Sequence, residues 1–445
     1  MRRRSIAGAP ARRCPRCSRG EPPPCWRAVC TSPAGRTGPS PTSDLSSTTA
    51  PMCCGRGGDE EVRDPNREES RMKITSIGSV LLTPFPWVLI KVRTDEGLVG
   101  IGEAYHGAGV HQIAVDERLT RALIGQDPRN VDKLFRDMQR RMSASGFYQG
   151  AVMSAISGIE MALWDLTGQA CGVPIWQLLG GRFRERIRLY NDCHAGEGDD
   201  PASWVAKAVE VEARGFDALK FDIDPRPSTR DVYNRGIRNK DIAYYIEVVR
   251  AVRQALDPDT DLAIDAHWYY APADILKVAY AFEGLNLLWL EDPIPPENIA
   301  ALAKVKAATR TPICTGENFY TRFGFRQLIE SQAADIISPD FAKAGGLLEG
   351  RRIADLADMY YIPLSPHNIC GPVGTVAACH VCAAAPNFQV LEFHHLDNEL
   401  WHTLTVERDL IADGHIAVPT RPGLGVSVDE GVVRRAAKEH LGFFG

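Results

Sequence analysis

The sequence predicts an α/β protein: a (β/α)8 barrel of the TIM type, with an N-terminal α+β capping domain that a C-terminal tail completes. Two observations carry the barrel. From Ile187 onward, short β-prone runs alternate with amphipathic stretches at a period of about 30 residues, the size of one βα unit. Several of those runs also end in an ionisable residue. In "NLLWLEDP" the residues Leu287, Leu288, Trp289 and Leu290 suit burial on both faces, and Glu291 and Asp292 follow at once. A third observation sets the capping domain: three β-prone runs and then three helical patterns precede the alternation.

Residues 1–71 are rich in Arg, Pro, Ser, Gly and Cys, with few aliphatics and no helical or strand period. Such a stretch cannot bury enough apolar surface to fold and is expected to be a disordered extension. No apolar core follows "MRRRS", which argues against a secretory or twin-arginine signal. "CPRC" (Cys14, Cys17) with Cys25 and Cys30 offers zinc-ligand types, but nothing around it supplies a core for such a site. Glu68 and Glu69 stand shortly before Met72. Encoded as GAGGAG, they would resemble a ribosome-binding sequence, so the folded protein is expected to begin at Met72.

Residues 72–186 read as the capping domain. "KITSIGSVLL", "WVLIKVRTDEG" and "LVGIGEAY" are strands, the last two joined by a tight turn at Asp95-Glu96-Gly97. Helices are expected at Gln112–Ile124, Val131–Met142 and Ala151–Ala170. Residues 187–402 read as the barrel, with strands at Ile187–Asn191, Ala218–Asp222, Leu262–Asp265, Leu287–Glu291, Pro312–Thr315, Ile336–Ser338, Ile362–Ser365 and Gln389–Glu392. Helical stretches such as Ala202–Arg214, Lys240–Leu256 and Leu348–Met359 separate them. An open doubly wound sheet usually carries a Gly-rich phosphate loop after its first strand, and "NDCHAGEGDD" is a poor one. Residues 403–445 are expected to pack back on the capping domain.

Bulk properties narrow the function. A net charge of −5 gives no reason to expect nucleic acid or an acidic membrane as partner. No apolar run reaches the ~18 residues that a membrane span needs; the best, Val80 to Ile90, is broken by Pro84 and Pro86. Beyond Met72 the cysteines (171, 193, 314, 370, 379, 382) are scattered through apolar segments, which suits free thiols in a reducing cytoplasm.

In a barrel of this type the residues at the C-terminal strand ends meet in one mouth, where the chemistry sits. The second strand ends in Lys220 and Asp222, the third in Asp265 and His267, and the fourth in Glu291. The fifth gives Glu317, the sixth Asp340, the seventh His367 and the eighth Glu392. Asp265, Glu291 and Glu317 lie one unit apart on successive strands. Like charges so placed repel unless a cation neutralises them, and three oxygen ligands suit Mg²⁺. Asp292 is expected as a helix cap or a support to the metal ligands. Asp340 beside His367 would fix the imidazole tautomer and raise its basicity. His267, two residues after Asp265 in an extended run, would point to the same side as an acid near the substrate. Lys220 either serves the chemistry or pairs with a ligand carboxylate.

These residues, with "LEDP", "TGEN", "SPDFAKAGG", "SPHNICGPVGT" and the helix "SAISGIEMALWDLTGQACGVPIWQLLGG", resemble the mandelate racemase branch of the enolase superfamily over nearly all of 72–445. The resemblance implies abstraction of the proton α to a substrate carboxylate, with Asp265, Glu291 and Glu317 on Mg²⁺ and His367, backed by Asp340, as base; the superfamily is itself a standing example of Mg²⁺ with Lys or His bases. It implies that Glu392 is protonated and donates to the developing oxyanion. Lys220-Phe221-Asp222 departs from the Lys-x-Lys usual in racemases, while Asp265-Ala266-His267 supplies an extra acid. That arrangement resembles sugar-acid dehydratases acting on galactonate or gluconate, hydro-lyases in which the His protonates the leaving 3-hydroxyl. A racemase or epimerase using Lys220 and His367 on opposite faces is the alternative. Asp222, Asn318 and Trp268 are expected at the substrate, with Tyr269, Tyr320 and the 83–87 turn reading its stereochemistry. "DPRPSTRDVYNRGIRNKD" would be a lid bringing Arg230, Tyr233 or Arg235 to a polyol. The expected partner is a small sugar acid, bound by a homo-oligomer.

A chain beginning at Met72 is expected to fold and turn over like the full chain. Loss of solubility or activity on that truncation would give residues 1–71 a role.

Overall fold

The computed structural model describes residues 72–105, 107, 109–193, 200–224 and 235–445. The cysteine cluster before Met72 and the lid residues Arg230 and Tyr233 lie outside them. Strands β1 (Ile74–Leu82), β2 (Val88–Thr94) and β3 (Val99–Ala104) form an antiparallel sheet. The long helix Gly150–Cys171 lies on it so closely that side chains are excluded at the contact. A Cβ on Gly102 would collide with the Gly158 carbonyl, and one on Gly158 would strike Ala104.

One expected element divides. Gln112–Ile124 is two short helices, Val110–Ala114 and Glu117–Leu123. Asp116 stands between them, and its carboxylate accepts from the Arg118 amide. An Asp side chain in that place offers the backbone a fresh start, so the apolar period runs on while the helix does not.

The barrel strands are β4 (Arg186–Asp192), β5 (Ala218–Asp222), β6 (Asp261–Asp265), β7 (Leu290–Glu291), β8 (Ile313–Thr315), β9 (Ile336–Ile337) and β10 (Leu391–Phe393). Each pairs in parallel with the next from β4 to β9. The expected seventh strand, Ile362–Ser365, is no regular strand: single bridges join Leu364 to Ile337 and to Phe388. Pro363 lies within it and Pro366 follows it, and proline has no N–H to give a ladder. β10 then pairs with β4, so the pairings return to their start.

The tail does two jobs. Strands β11 (Ile411–Ala412) and β12 (His415–Ala417) form a hairpin that pairs antiparallel with β4. β13 (Ala437–Leu441) pairs with β1 and extends the capping sheet to the order β13-β1-β2-β3.

Three buried carboxylates tie the capping part to the rest of the chain, two of them to barrel segments. Glu103 accepts from the amides of Gly371 and Gly374, at the start of helix Pro372–Ala384. Glu160 accepts from Leu347 and Leu348, at the start of helix Gly346–Asp358. Asp165 accepts from Ile101 and from Leu424 in the tail. Helix N-termini present unpaired N–H groups and favour negative charge, so the Glu103 and Glu160 anchors satisfy both sides.

One side chain from each of seven strands or strand approaches meets inside the barrel: Tyr190, Ala218, Ala263, Trp289, Cys314, Ile336 and Val390. The small residues leave room for the Trp289 ring. Two residues further along the strands the same inward face is polar: Asp192, Lys220, Asp265, Glu291 and Glu392, all buried. Five of the six cysteines among the described residues are free and buried; Cys171 is free and exposed. Among the described residues no helix is long and apolar enough to cross a membrane.

Candidate active site

The polar layer is organised around one ammonium. Lys220 Nζ lies 2.6 Å from Glu392, 3.1 Å from Asp265, 3.3 Å from Glu291 and 3.4 Å from Asp192. Burial opposes its charge, but Glu291, Glu392 and Asp265 outweigh that and raise its pKa well above the usual lysine value. Lys220 is therefore held protonated. Burial also pushes Glu291 up to about 8, with Lys220 opposing and Asp265, Glu392 and Glu317 adding. Asp222 goes up to about 9 for the same first reason, with Asp192 and Asp265 beside it.

Glu392 departs from expectation. Burial would raise its pKa, yet Lys220, His367 and His394 hold it well below the usual carboxylate range. One oxygen meets Lys220 and the other accepts from the Asn368 amide at 2.8 Å. Both contacts and the direction of the shift favour the ionised acceptor over the protonated donor that the resemblance implies. The reason lies two strands away, in the cation on β5.

His367 Nδ1 bonds Asp340 at 2.7 Å, and its Nε2 lies 3.2 Å from Glu317 and 3.7 Å from Glu392. Burial lowers its pKa, but Glu317, Glu392 and Asp340 more than reverse this, to about 10. Asn318 is occupied by Lys343, whose Nζ donates to its Oδ1 at 2.8 Å and stands 3.9 Å from Glu317.

His267 is not in an extended run. Its φ is 42° and that of Trp268 is 58°, so the chain turns left-handed directly after β6. The turn sets His267 Nδ1 2.8 Å from Asp224 and Nε2 3.6 Å from Asp265. Burial works against its charge, but Asp224, Asp265 and Asp222 raise its pKa to about 11. The indole N–H of Trp268 is buried without a hydrogen-bond partner. Arg235 donates to the Trp268 carbonyl at 2.8 Å, which pins the turn from behind.

The expected metal ligands fall in two adjoining groups. Glu291 and Glu317 converge with Asp292, while Asp265 converges with Asp222 and His267. Asp265 is drawn to Lys220 and to the His267 amide, 2.8 Å away. Asp292 caps no helix; it has a φ of 40° and accepts from the Thr315 hydroxyl. The donor set is all oxygen in the first group, and Glu291 Oε1 is buried with no hydrogen-bond partner. Surplus buried negative charge and an unsatisfied oxygen fit a hard divalent cation.

A cavity of about 430 Å³ opens here. Of the residues expected at the site, His267, Trp268, Glu317 and His367 line it. Phe85, Pro86 and Trp87 line it from the capping domain, as expected of that turn, and Tyr105 does so from the end of β3. Lys220, Asp222, Asn318, Tyr269 and Tyr320 are not among its walls. Sequence reasoning missed Asp192, Asp224, Tyr105, Lys343 and His394. Asp192 and His394 carried a signal, since each stands two residues from an inward-facing neighbour, Tyr190 or Glu392.

A barrel whose mouth gathers carboxylates and two histidine–aspartate pairs around one cavity defines an enzyme of acid–base chemistry. Comparison with known proteins makes the class specific. The profile described as Enolase C-terminal domain-like matches residues 203–432, and that of the Mandelate racemase / muconate lactonizing enzyme N-terminal domain matches 61–180. The chain is 42% identical over 389 residues to D-xylonate dehydratase of Haloferax volcanii, covering 87% of this chain and 92% of that one. It is 33% identical over 379 residues to D-galactonate dehydratase of Ralstonia pickettii, covering 83% and 95%. A crystal structure of a mandelate racemase/muconate lactonizing enzyme-like protein from Rubrobacter xylanophilus matches with TM-score 0.80 at 43% identity, over 83% of this chain and 98% of that one. The chain belongs to the mandelate racemase/muconate lactonizing enzyme family of the enolase superfamily.

Lys220→Met removes the one ammonium shared by four buried carboxylates. It is expected to cost about 3–5 kcal/mol in urea unfolding at neutral pH in EDTA, the usual cost of breaking a buried pair. A loss below ~1 kcal/mol, the scale of a surface pair, would show that the ammonium is not their counter-ion.

Proposed function

We propose that this chain is a Mg²⁺-dependent aldonate dehydratase that converts a sugar acid to its 2-keto-3-deoxy acid. One observation carries the reading: two histidines, each on its own aspartate, face one cavity beside Glu317. A Mg²⁺ held by Asp265, Glu291 and Glu317 would supply positive charge opposite the substrate carboxylate as the C2 proton leaves. His367 accepts that proton at Nε2, while Asp340 keeps the other proton on Nδ1 and holds the ring in place. His367 must be neutral to do so, and balancing the charge of Glu317 and its neighbours lowers its proton affinity. His267, kept protonated by Asp224, Asp265 and Asp222, gives a proton from Nε2 to the 3-hydroxyl. The C2–H and C3–O bonds break, water departs, and the enol left behind tautomerises to the ketone.

Lys220 works in this scheme as the counter-ion that keeps the carboxylates together, and Glu392 as its partner. That speaks against the epimerase alternative, because a second base on β5 would have to be neutral and reach the cavity. Trp268 is the candidate donor to a substrate hydroxyl, through its unpartnered N–H. For the acid itself, D-xylonate joins D-galactonate and D-gluconate, since relatives named for the first two are similar along most of their length. A panel of aldonates scored for 2-keto-3-deoxy products separates them.

EDTA is expected to abolish turnover and Mg²⁺ to restore it; full activity in metal-free buffer would sink the metal assignment.

The two histidines are separable. His267→Asn should stop dehydration yet still exchange the substrate's C2 proton in D₂O, followed by proton NMR. His367→Asn should stop both, each loss being about 10² to 10⁴ in rate. The opposite pattern would reverse the assignment, and C2 inversion without water release would make the enzyme an epimerase.

A further inference from the structure

Only the short link from Asn368 to Gly371 separates His367 from helix Pro372–Ala384. The Asn368 amide donates to Glu392 at 2.8 Å, and its side chain donates to Thr375 at 3.0 Å. The far end of the link rests on Glu103, whose carboxylate takes the Gly371 amide at 2.6 Å and the Gly374 amide at 2.8 Å. A helix usually caps its own first turn with a Ser, Thr, Asp or Asn. Here the N-cap is Gly371, which has no side chain, and the acceptor comes from β3 of the capping domain. The fit is close. A Cβ on Gly371 would stand 3.1 Å from both Glu103 oxygens and from the Trp87 ring, and one on Gly374 would stand 2.6 Å from the Cys370 Cβ. Two residues beyond Glu103, Tyr105 lines the reaction cavity, so one run of chain supplies a wall of the cavity and the anchor of the link behind His367.

An imidazole that takes a proton from carbon must be placed closely, since a misplacement of about 1 Å can cost 10²-fold in rate. Asp340 holds the His367 ring at Nδ1, which sets one distance but not the position of the backbone that carries the ring. We propose that Glu103 is a positioning residue for His367. By gathering the amides of Gly371 and Gly374 it sets where the link stands, and so where Nε2 meets the substrate. Glu103 itself is fully buried and is not among the walls of the cavity. This rests on the aldonate dehydratase reading, in which His367 takes the C2 proton.

The test uses the full chain with Mg²⁺ and an aldonate that it turns over, carrying hydrogen or deuterium at C2. Glu103→Gln keeps the size of the side chain but turns an NH₂ towards one of the two amides, because a carboxamide has a single acceptor oxygen. It should lower kcat by about tenfold to 10²-fold and leave KM within about twofold. The C2 deuterium isotope effect on kcat should rise, because proton abstraction has become the slower step. Gly371→Ala presses on the same carboxylate from the other side, and its φ of −62° suits alanine. It should repeat the pattern, and serves if the Gln variant fails to fold. Asp165→Asn is the control. That buried carboxylate also accepts two backbone amides but ties the cap to the tail, so the isotope effect should stay at its wild-type value. A kcat within about twofold of wild type in both variants overturns the proposal. So does a fall with the isotope effect unmoved, the mark of fewer folded molecules, or an equal rise in Asp165→Asn. Wild type inactive on every aldonate sinks the dehydratase reading and this one together. Wild type active with both variants unchanged sinks this one alone.

Discussion

A single buried ammonium among four carboxylates is the constraint on which the mouth of this barrel depends. Lys220 can reach Asp192 and Asp265 on the strands either side of β5, and Glu291 and Glu392 one strand further round, only because all four stand at the same height. That height is set from below, where Trp289 and Tyr190 fill the interior and small residues at 218, 263 and 314 admit them. Trp289 also donates its indole N–H to Glu291 at 2.9 Å, so the apolar plug orients the charge above it. The packing of one layer thus decides the electrostatics of the next.

The same negative potential gives the two histidines different settings. His367 sits fully inside, between Asp340 and two further carboxylates. His267 sits at the rim, on a left-handed turn, with the exposed carboxylate of Asp224 on one nitrogen. One ring faces charge that a bound cation would offset. The other faces charge that includes Asp224, which belongs to neither acidic group. The two imidazoles are set apart by environment on one shared cavity.

Much of this was legible in the sequence, for a reason that also marks its limit. Period-two alternation placed Glu291 above Trp289 and Asp265 above Ala263, because strands impose that period on any side chain. The seventh strand read as regular because its apolar residues look like the others; only its prolines foretold a ladder of single bridges. Asp192 escaped because the first strand was drawn one residue short. The left-handed φ of His267 had only a weak mark in its residue type, since histidine is enriched in that region but rarely adopts it, and Trp268 after it gave none. The ionised state of Glu392 is a property of Lys220, which is distant in sequence and adjacent only once the barrel has closed. Asp116 could have warned of the broken helix, and the apolar period around it outvoted the cap.

The Ile369 carbonyl has a wider meaning. It stands two residues after His367, and it holds both the cap turn, through Trp87, and the loop after β10, through His395. The cap turn and the loop after β10 therefore share one point of attachment beside His367. A shift of either segment therefore reaches His367 through two residues of backbone.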